Sequence, residues 1–181
     1  MSIKIKSAAF SGVEGVLINV EVDITYGLPV FNIVGLGDMA VKESKERVRA
    51  AIVNSGLEFP VGRITVNLAP AHIRKEGSHY DLSIAVGVLA ATNQLLIEEL
   101  SEFIFIGEVS LNGEINKING ALPIIIEGKR HGIKNFIVPF ENRNECACIS
   151  GVNIYPMGTL SEVIHFLTYK DVKPYERSKA I

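Results

Sequence analysis

The chain has 181 residues, 48% of them hydrophobic and 21% charged, with a formal net charge of −2. That is enough apolar material for one packed domain with at most a small appendage, and it excludes a disordered chain. The slightly acidic balance excludes strong whole-domain attraction to nucleic-acid phosphates and leaves room only for a local basic patch.

Residues 4–10, 16–24 and 30–34 are β-branched-rich runs broken by Gly12, Gly15, Gly27 and Pro29, which predicts three strands. Ile18, Val20, Val22 and Ile24 alternate with polar neighbours, so the second strand is expected to have one wet face. The period then changes. Val41, Ser44, Val48, Ala51 and Ile52 fall at helical spacing among charged residues, with Asp38 expected as the cap and Asn54-Ser55-Gly56 as the stop. Glu43 and Arg47 stand four apart on this helix, as a supporting ion pair would. A strand over 63–68 follows, then the polar loop APAHIRKEGSHYD, in which Ser78 is expected to cap the next helix with Asp81 three residues on. Residues 82–92 are apolar on almost every side, which predicts a helix buried between layers.

Residues 103–106 read as a short buried strand, and 109–118 as a hairpin with Asn112-Gly113 as a two-residue turn. A helix over 121–131 is expected to carry Lys129, Arg130 and His131 in its last turn and to stop at Gly132. Strands over 135–138 and 152–155 flank a short helix, and Thr159 caps a final helix over 160–167. The order βββ-α-β-α-β-hairpin-α-β-(short helix)-β-α implies an α+β fold: a mixed sheet with helices packed on it. Residues 169–181 lose all periodicity and read as a linker following a domain over 1–168.

Several constellations bear on chemistry. Gly35-Leu36-Gly37-Asp38-Met39-Ala40 matches G-x-G-x-x-A, but the next strand ends Asn67-Leu68-Ala69-Pro70 without the acidic residue that would hold a ribose. A tight glycine turn is the plainer reading. Lys75, Glu76, Gly77 and Ser78 form a loop at a helix start where an anion or a partner could dock. Lys42, Lys45, Arg47, Arg49 and Arg74, with Lys75, are candidates for a basic face, although a solvated helix side of mixed sign is the plainer reading. The adjacent Ser78 and His79 point apart on a helix and make no Ser-His-Asp group with Asp81. His72, His79, His131 and His165 lack metal-ligand spacing, and Cys146 and Cys148 read as two small thiols, so no metal site is expected. Few cysteines and no recognisable leader set the expectation of a cytoplasmic protein. The longest apolar stretch, 82–91, falls far short of the ~20 residues that span a bilayer.

GLPVFNIVGLGDMAVKESKERVRAAIVNSGLEFP, RITVNLAPAHIRKEGSHYDLSIAVGVLAA and GEVSLNGEINKINGALPI resemble the N-terminal domain of the ComM/YifB family, magnesium-chelatase-like AAA+ ATPases. The resemblance covers roughly residues 3–168. It implies a Lon-protease-like domain of ribosomal S5 domain 2-like fold ahead of an AAA+ ATPase. The whole protein is then implied to be a homo-hexameric, ATP- and Mg-dependent motor promoting DNA branch migration during natural transformation. The partners implied are the chain's own AAA+ domain, neighbouring subunits and DNA, with no membrane. No G-x-x-x-x-G-K-[ST] occurs here, so ATP binding is not assigned to these residues.

Lon proteases use a Ser–Lys dyad in which the lysine takes the serine proton. Lys75-Glu76-Gly77 matches the loop before the serine, which puts Asp81 at the serine position. Asn119-Gly120-Ala121 matches the segment before the lysine, which puts Leu122 at the lysine position. The resemblance therefore implies a scaffold without its dyad: no enzyme and no cofactor in this chain, serving assembly or guidance of DNA or a partner. The alternatives are a serine peptidase with an atypical dyad (Ser78 or Ser83 with Lys75 or Lys129), a stand-alone interaction module, or a chelatase-related role in metal insertion.

Overall fold

The β-branched runs become strands and the 3.6-periodic runs become helices in a computed structural model that describes residues 2–11, 14–95 and 99–177. Gly12 and residues 178–181 of the expected linker lie outside the described residues. In chain order the elements are β1 (Ser2–Ser11), β2 (Glu14–Thr25), β3 (Val30–Val34), α1 (Asp38–Asn54), β4 (Arg63–Ala69), α2 (Asp81–Ala91), β5 (Phe103–Phe105), β6 (Glu108–Val109), β7 (Ile115–Asn116), α3 (Ala121–Arg130), β8 (Asn135–Pro139), α4 (Arg143–Cys146), β9 (Asn153–Met157) and α5 (Leu160–Tyr169). This is the expected order, and the expected mixed sheet with packed helices. Among the described residues a seven-stranded sheet runs β3-β4-β2-β1-β5-β8-β9, beside the small β6–β7 ribbon. β1 and β4 both pair antiparallel with β2, whereas β3–β4, β1–β5, β5–β8 and β8–β9 are parallel.

The sheet separates two cores. On one face Ile5, Ala9, Ile18, Val20 and Val22 pack with residues of α1, α2 and α5. On the other, Ala8, Ile104, Phe136 and Val138 pack with Ala121, Ile124 and Ile125 of α3 and Cys146 of α4. β5 and β8 serve both, because successive side chains of a strand point to opposite faces. α2 is buried along its whole length, as its all-round apolar sequence requires.

Local details depart from expectation where tertiary contacts outweigh local signals. The second face of β2 is not simply wet. α3 crosses it closely enough that a Cβ on Gly15 would stand 2.6 Å from Glu127 Cβ. Asp38 is the first residue of α1 rather than its cap; the cap position is Gly37, without a side-chain hydrogen bond. Nor does Ser78 cap α2. The chain makes a turn there, with Asp81 N–H donating to Ser78 O, and the helix begins three residues later with Tyr80 at the cap position. The hairpin loop is three residues long rather than two: Ser110 N–H reaches Glu114 O, and Gly113 at φ +90° takes the left-handed position of a turn with a bulge. Thr159 caps α5 as expected, accepting from Glu162 N–H.

Residues 170–177 lack regular structure but lie against the domain. Tyr175 N–H donates to Ile154 O at 2.8 Å, and its hydroxyl to Asn144 Oδ1 at 2.6 Å.

The core carries two polar atoms without a hydrogen-bond partner among the described residues, Ser7 Oγ and Tyr80 OH. Burial holds the Tyr80 phenol well above its ordinary pKa. A buried hydroxyl without a partner costs about 1–3 kcal/mol of desolvation. Tyr80→Phe is therefore expected to leave stability unchanged or raise it by up to about 1 kcal/mol, read as the midpoint of urea unfolding.

Candidate functional site

The start of α2 is where the resemblance places a protease serine. There Asp81 is 1% exposed. Its carboxylate is gripped by three residues from two elements. Arg47 of α1 donates through Nε to Oδ2 at 2.6 Å and through a terminal nitrogen to Oδ1 at 3.2 Å. The Ser44 hydroxyl, one turn earlier on α1, donates to Oδ1 at 2.7 Å, and Val109 N–H of β6 donates to Oδ2 at 3.2 Å. Burial pushes the Asp81 carboxyl above the usual carboxylate range, while Arg47, Ser44 and Val109 pull the other way. The guanidinium is held above its own ordinary value by the hydrogen bond to Asp81. The arrangement is a two-pronged ion pair locking α1, α2 and β6 together.

The second dyad position, Leu122, is a half-buried apolar side chain near the start of α3. Members of the atypical pairings have backbone carbonyls as partners. Ser83 Oγ is buried and donates to Phe105 O at 2.9 Å. Lys75 Nζ donates to Pro70 O at 2.5 Å and Ile73 O at 2.7 Å, and Lys129 Nζ to Ser150 O at 2.6 Å. Among the described residues no serine hydroxyl is hydrogen-bonded to a lysine.

The loop Lys75, Glu76, Gly77 and Ser78 is not the presented cradle that the sequence suggests. Lys75 is 4% exposed with its ammonium turned inward onto backbone carbonyls. Glu76 is tied to Arg74 at 2.7 Å, both well exposed. The loop forms one wall of a cleft of about 770 Å³ whose other wall is the Gly35–Ala40 turn. Two motifs that sequence reasoning weighed separately thus face each other. A Cβ on Gly35, at φ +107°, would stand 2.8 Å from Leu68 O and 3.1 Å from Lys75 Cε, so this glycine serves close packing of the turn on β4.

Burial lowers the Lys75 pKa from its ordinary 10.5. The unfolded chain then holds this proton more tightly than the folded one, so stability rises with pH between the folded value and 10.5. Relative to Lys75→Met, the native chain is expected to gain stability across that window. Paired urea titrations at successive alkaline pH values measure this, and a flat difference would contradict it.

The candidate basic face is also broken up. Arg47 turns in to Asp81 and lies 3.8 Å from Glu43, the expected i,i+4 partner. Arg74 is paired and Lys75 is inside. Lys42, Lys45 and Arg49 remain on the outer side of α1, Arg49 lying over the Phe59 ring at 4.6 Å. Glu43 and Glu46 are exposed between them. Among the described residues no group of three or more His, Cys, Asp and Glu side chains could hold a metal ion. No described helix is long and apolar enough to cross a membrane.

Sequence reasoning missed the Ser44–Arg47–Asp81 cluster and the buried Asn142. Asn142 accepts from Ile118 N–H at 3.0 Å, donates back to Ile118 O at 2.9 Å and also bonds Glu145. One signal for the first was available: an acidic residue opening a helix with no polar face needs a buried cation somewhere in the chain.

Sequence comparison finds relatives of this chain. The family model for subunit ChlI of Mg-chelatase matches residues 20–142. Competence protein ComM of Haemophilus influenzae is 39% identical over 168 residues, 93% of this chain and 33% of that protein. YifB of Salmonella typhimurium is 43% identical over 166 residues, 92% of this chain and 33% of that protein. Lon protease 2 of Bacillus subtilis is 30% identical over 124 residues, 68% of this chain and 22% of that protein. The chain spans about a third of the length of the ComM and YifB relatives.

Proposed function

The chain belongs to the ComM/YifB family of magnesium-chelatase-like proteins, and from that premise we propose that it is a non-catalytic, Lon-like domain of a cytoplasmic AAA+ DNA motor. It serves assembly of the motor or guidance of DNA or a partner, in branch migration during natural transformation. ATP and Mg act on the motor part, and the partners are that part, neighbouring subunits of a homo-hexamer, and DNA.

The observation that carries this reading is the state of Asp81. A carboxylate bound by one guanidinium, one hydroxyl and one backbone N–H has no free acceptor geometry for proton-transfer work. It does hold two helices and a ribbon in register. The apolar Leu122 at the other dyad position agrees, as do the separate carbonyl partners of Ser83, Lys75 and Lys129.

Two measurements test the proposal. A serine-reactive phosphonate is expected to leave the native chain unlabelled; stoichiometric labelling at Ser78 or Ser83 would revive the peptidase reading. Binding to single- and double-stranded DNA is to be followed against salt. Lys42, Lys45 and Arg49 can neutralise at most three phosphates, so direct guidance predicts a log–log slope no steeper than about −2.7 on duplex. Charge removal at those three positions is expected to abolish that slope. A flat slope in the native chain removes DNA contact and leaves assembly.

A further inference from the structure

The two edges of the large sheet are treated differently. β9 carries Pro156, which has no N–H to offer, and Tyr175 N–H occupies Ile154 O. β3, at the other edge, has no strand on its outer side among the described residues. Exposed edges are usually blunted by lysine, other charges or bulges. Here no charged residue occurs from Tyr26 to Gly37.

Which groups β3 leaves open follows from its pairing. Val30 N–H donates to Gly62 O at 3.1 Å, so Val30 turns its backbone groups towards β4. By alternation Asn32 and Val34 do the same, and Phe31 and Ile33 turn both N–H and C=O to the open side. The side chains alternate the other way about: Phe31 and Ile33 are 3% and 7% exposed, Val30 and Val34 39% and 54%.

The strand Val30-Phe31-Asn32-Ile33-Val34 is a palindrome in character, with Asn32 at its centre. We infer that β3 is a pairing edge for a second copy of this chain, joined antiparallel about a two-fold axis at Asn32. In that register Phe31 of each copy lies opposite Ile33 of the other. All four outward N–H groups and all four outward C=O groups are then within the ladder, making four hydrogen bonds with the chain direction that two-fold symmetry requires. Pro29 ends the ladder at each side because it has no N–H. Val30 meets Val34 of the other copy on the exposed face. Leu28, two residues before the strand, is 83% exposed. Nothing charged is desolvated along this line, so the apolar side chains contribute without an opposing penalty. A register shifted by one residue would put inward-facing groups opposite outward ones and lose the ladder.

The inference is independent of the proposed role. Its test uses Asn32→Cys in a Cys148→Ser background. Side chains directly opposite at a pair without hydrogen bonds have Cα atoms about 4.5 Å apart, within disulfide reach. Mild oxidation is expected to give a covalent dimer for Asn32→Cys and none for Val30→Cys, whose opposite residue is Val34. By sedimentation equilibrium the native chain is expected to dimerise with rising concentration. Val30→Lys with Val34→Lys is expected to be monomeric with an unchanged far-ultraviolet spectrum. Val30→Lys with Val34→Glu, which pairs opposite charges across the axis, is expected to dimerise again. A native chain that stays monomeric into the millimolar range overturns the inference, as does an Asn32→Cys chain that does not cross-link or a charge-reversed pair that fails to restore association.

Discussion

Replacing Arg47 with alanine is expected to destabilise the fold by about 3–5 kcal/mol, because it strands a buried carboxylate without its cation. Asp81 is 1% exposed and keeps only Ser44 and the Val109 N–H when the guanidinium is gone. Arg47→Lys keeps the charge but loses the fork that reaches both carboxylate oxygens, and is expected to recover only part of the loss. Removing both charges, with Arg47→Met and Asp81→Leu, is expected to cost less than Arg47→Ala alone, since a buried ion pair contributes little net stability over an apolar pair of similar size. Urea unfolding of the four chains reads the series. A loss under about 0.5 kcal/mol for Arg47→Ala, the range of an ordinary surface change, would show that Asp81 does not depend on this partner.

Gly87→Ala is expected to destabilise by about 1–3 kcal/mol, against the helix preference that ordinarily favours alanine over glycine by about 1 kcal/mol. Gly87 sits mid-helix in α2, where the helix lies directly on the sheet. A Cβ there would stand 2.5 Å from Val22 Cγ2 and 3.4 Å from Ile5 Cγ1. Both neighbours are fully buried and cannot move aside freely. Adding Val22→Ala is expected to relieve the clash, so the double variant is more stable than the sum of the single losses. Additive losses in thermal or urea unfolding would show that α2 shifts away from the sheet instead. Gly128 on the opposite face repeats the device, with Phe136 Cε1 at 2.5 Å and Ile104 Cδ1 at 2.7 Å from a Cβ built there.

The candidate site was legible only in part. Asp81 and Leu122 could be picked out because the resemblance fixes which positions a dyad would occupy. What Asp81 does instead could not be read, because its partners lie 34 and 37 residues away on α1 and on a backbone N–H of β6. Arg47 looked like a solvent cation because its neighbours Lys45, Glu46 and Arg49 are charged. Lys75 looked presented because loops carrying charge usually are. Its stem fits beside Gly35 and its ammonium folds back to Pro70 O and Ile73 O, contacts that depend on how the loop lies against the α1 turn.

By itself the sequence determined the element order and the class of fold. The period-2 run of β2, the 3.6-period run of α1 and the all-apolar α2 are local, repeated signals that each stretch carries without reference to the rest. Through the family resemblance it also set which two positions, Asp81 and Leu122, correspond to the dyad of Lon proteases. Only the tertiary structure decided which charges are buried and which are free, which residues stand at the caps of α1 and α2, and which edge of the sheet is open. The physical reason is the same in each case. Caps, ion pairs and edge pairing are settled by groups far apart in the chain competing for the same few donors and acceptors, and that competition is resolved only when the layers are packed.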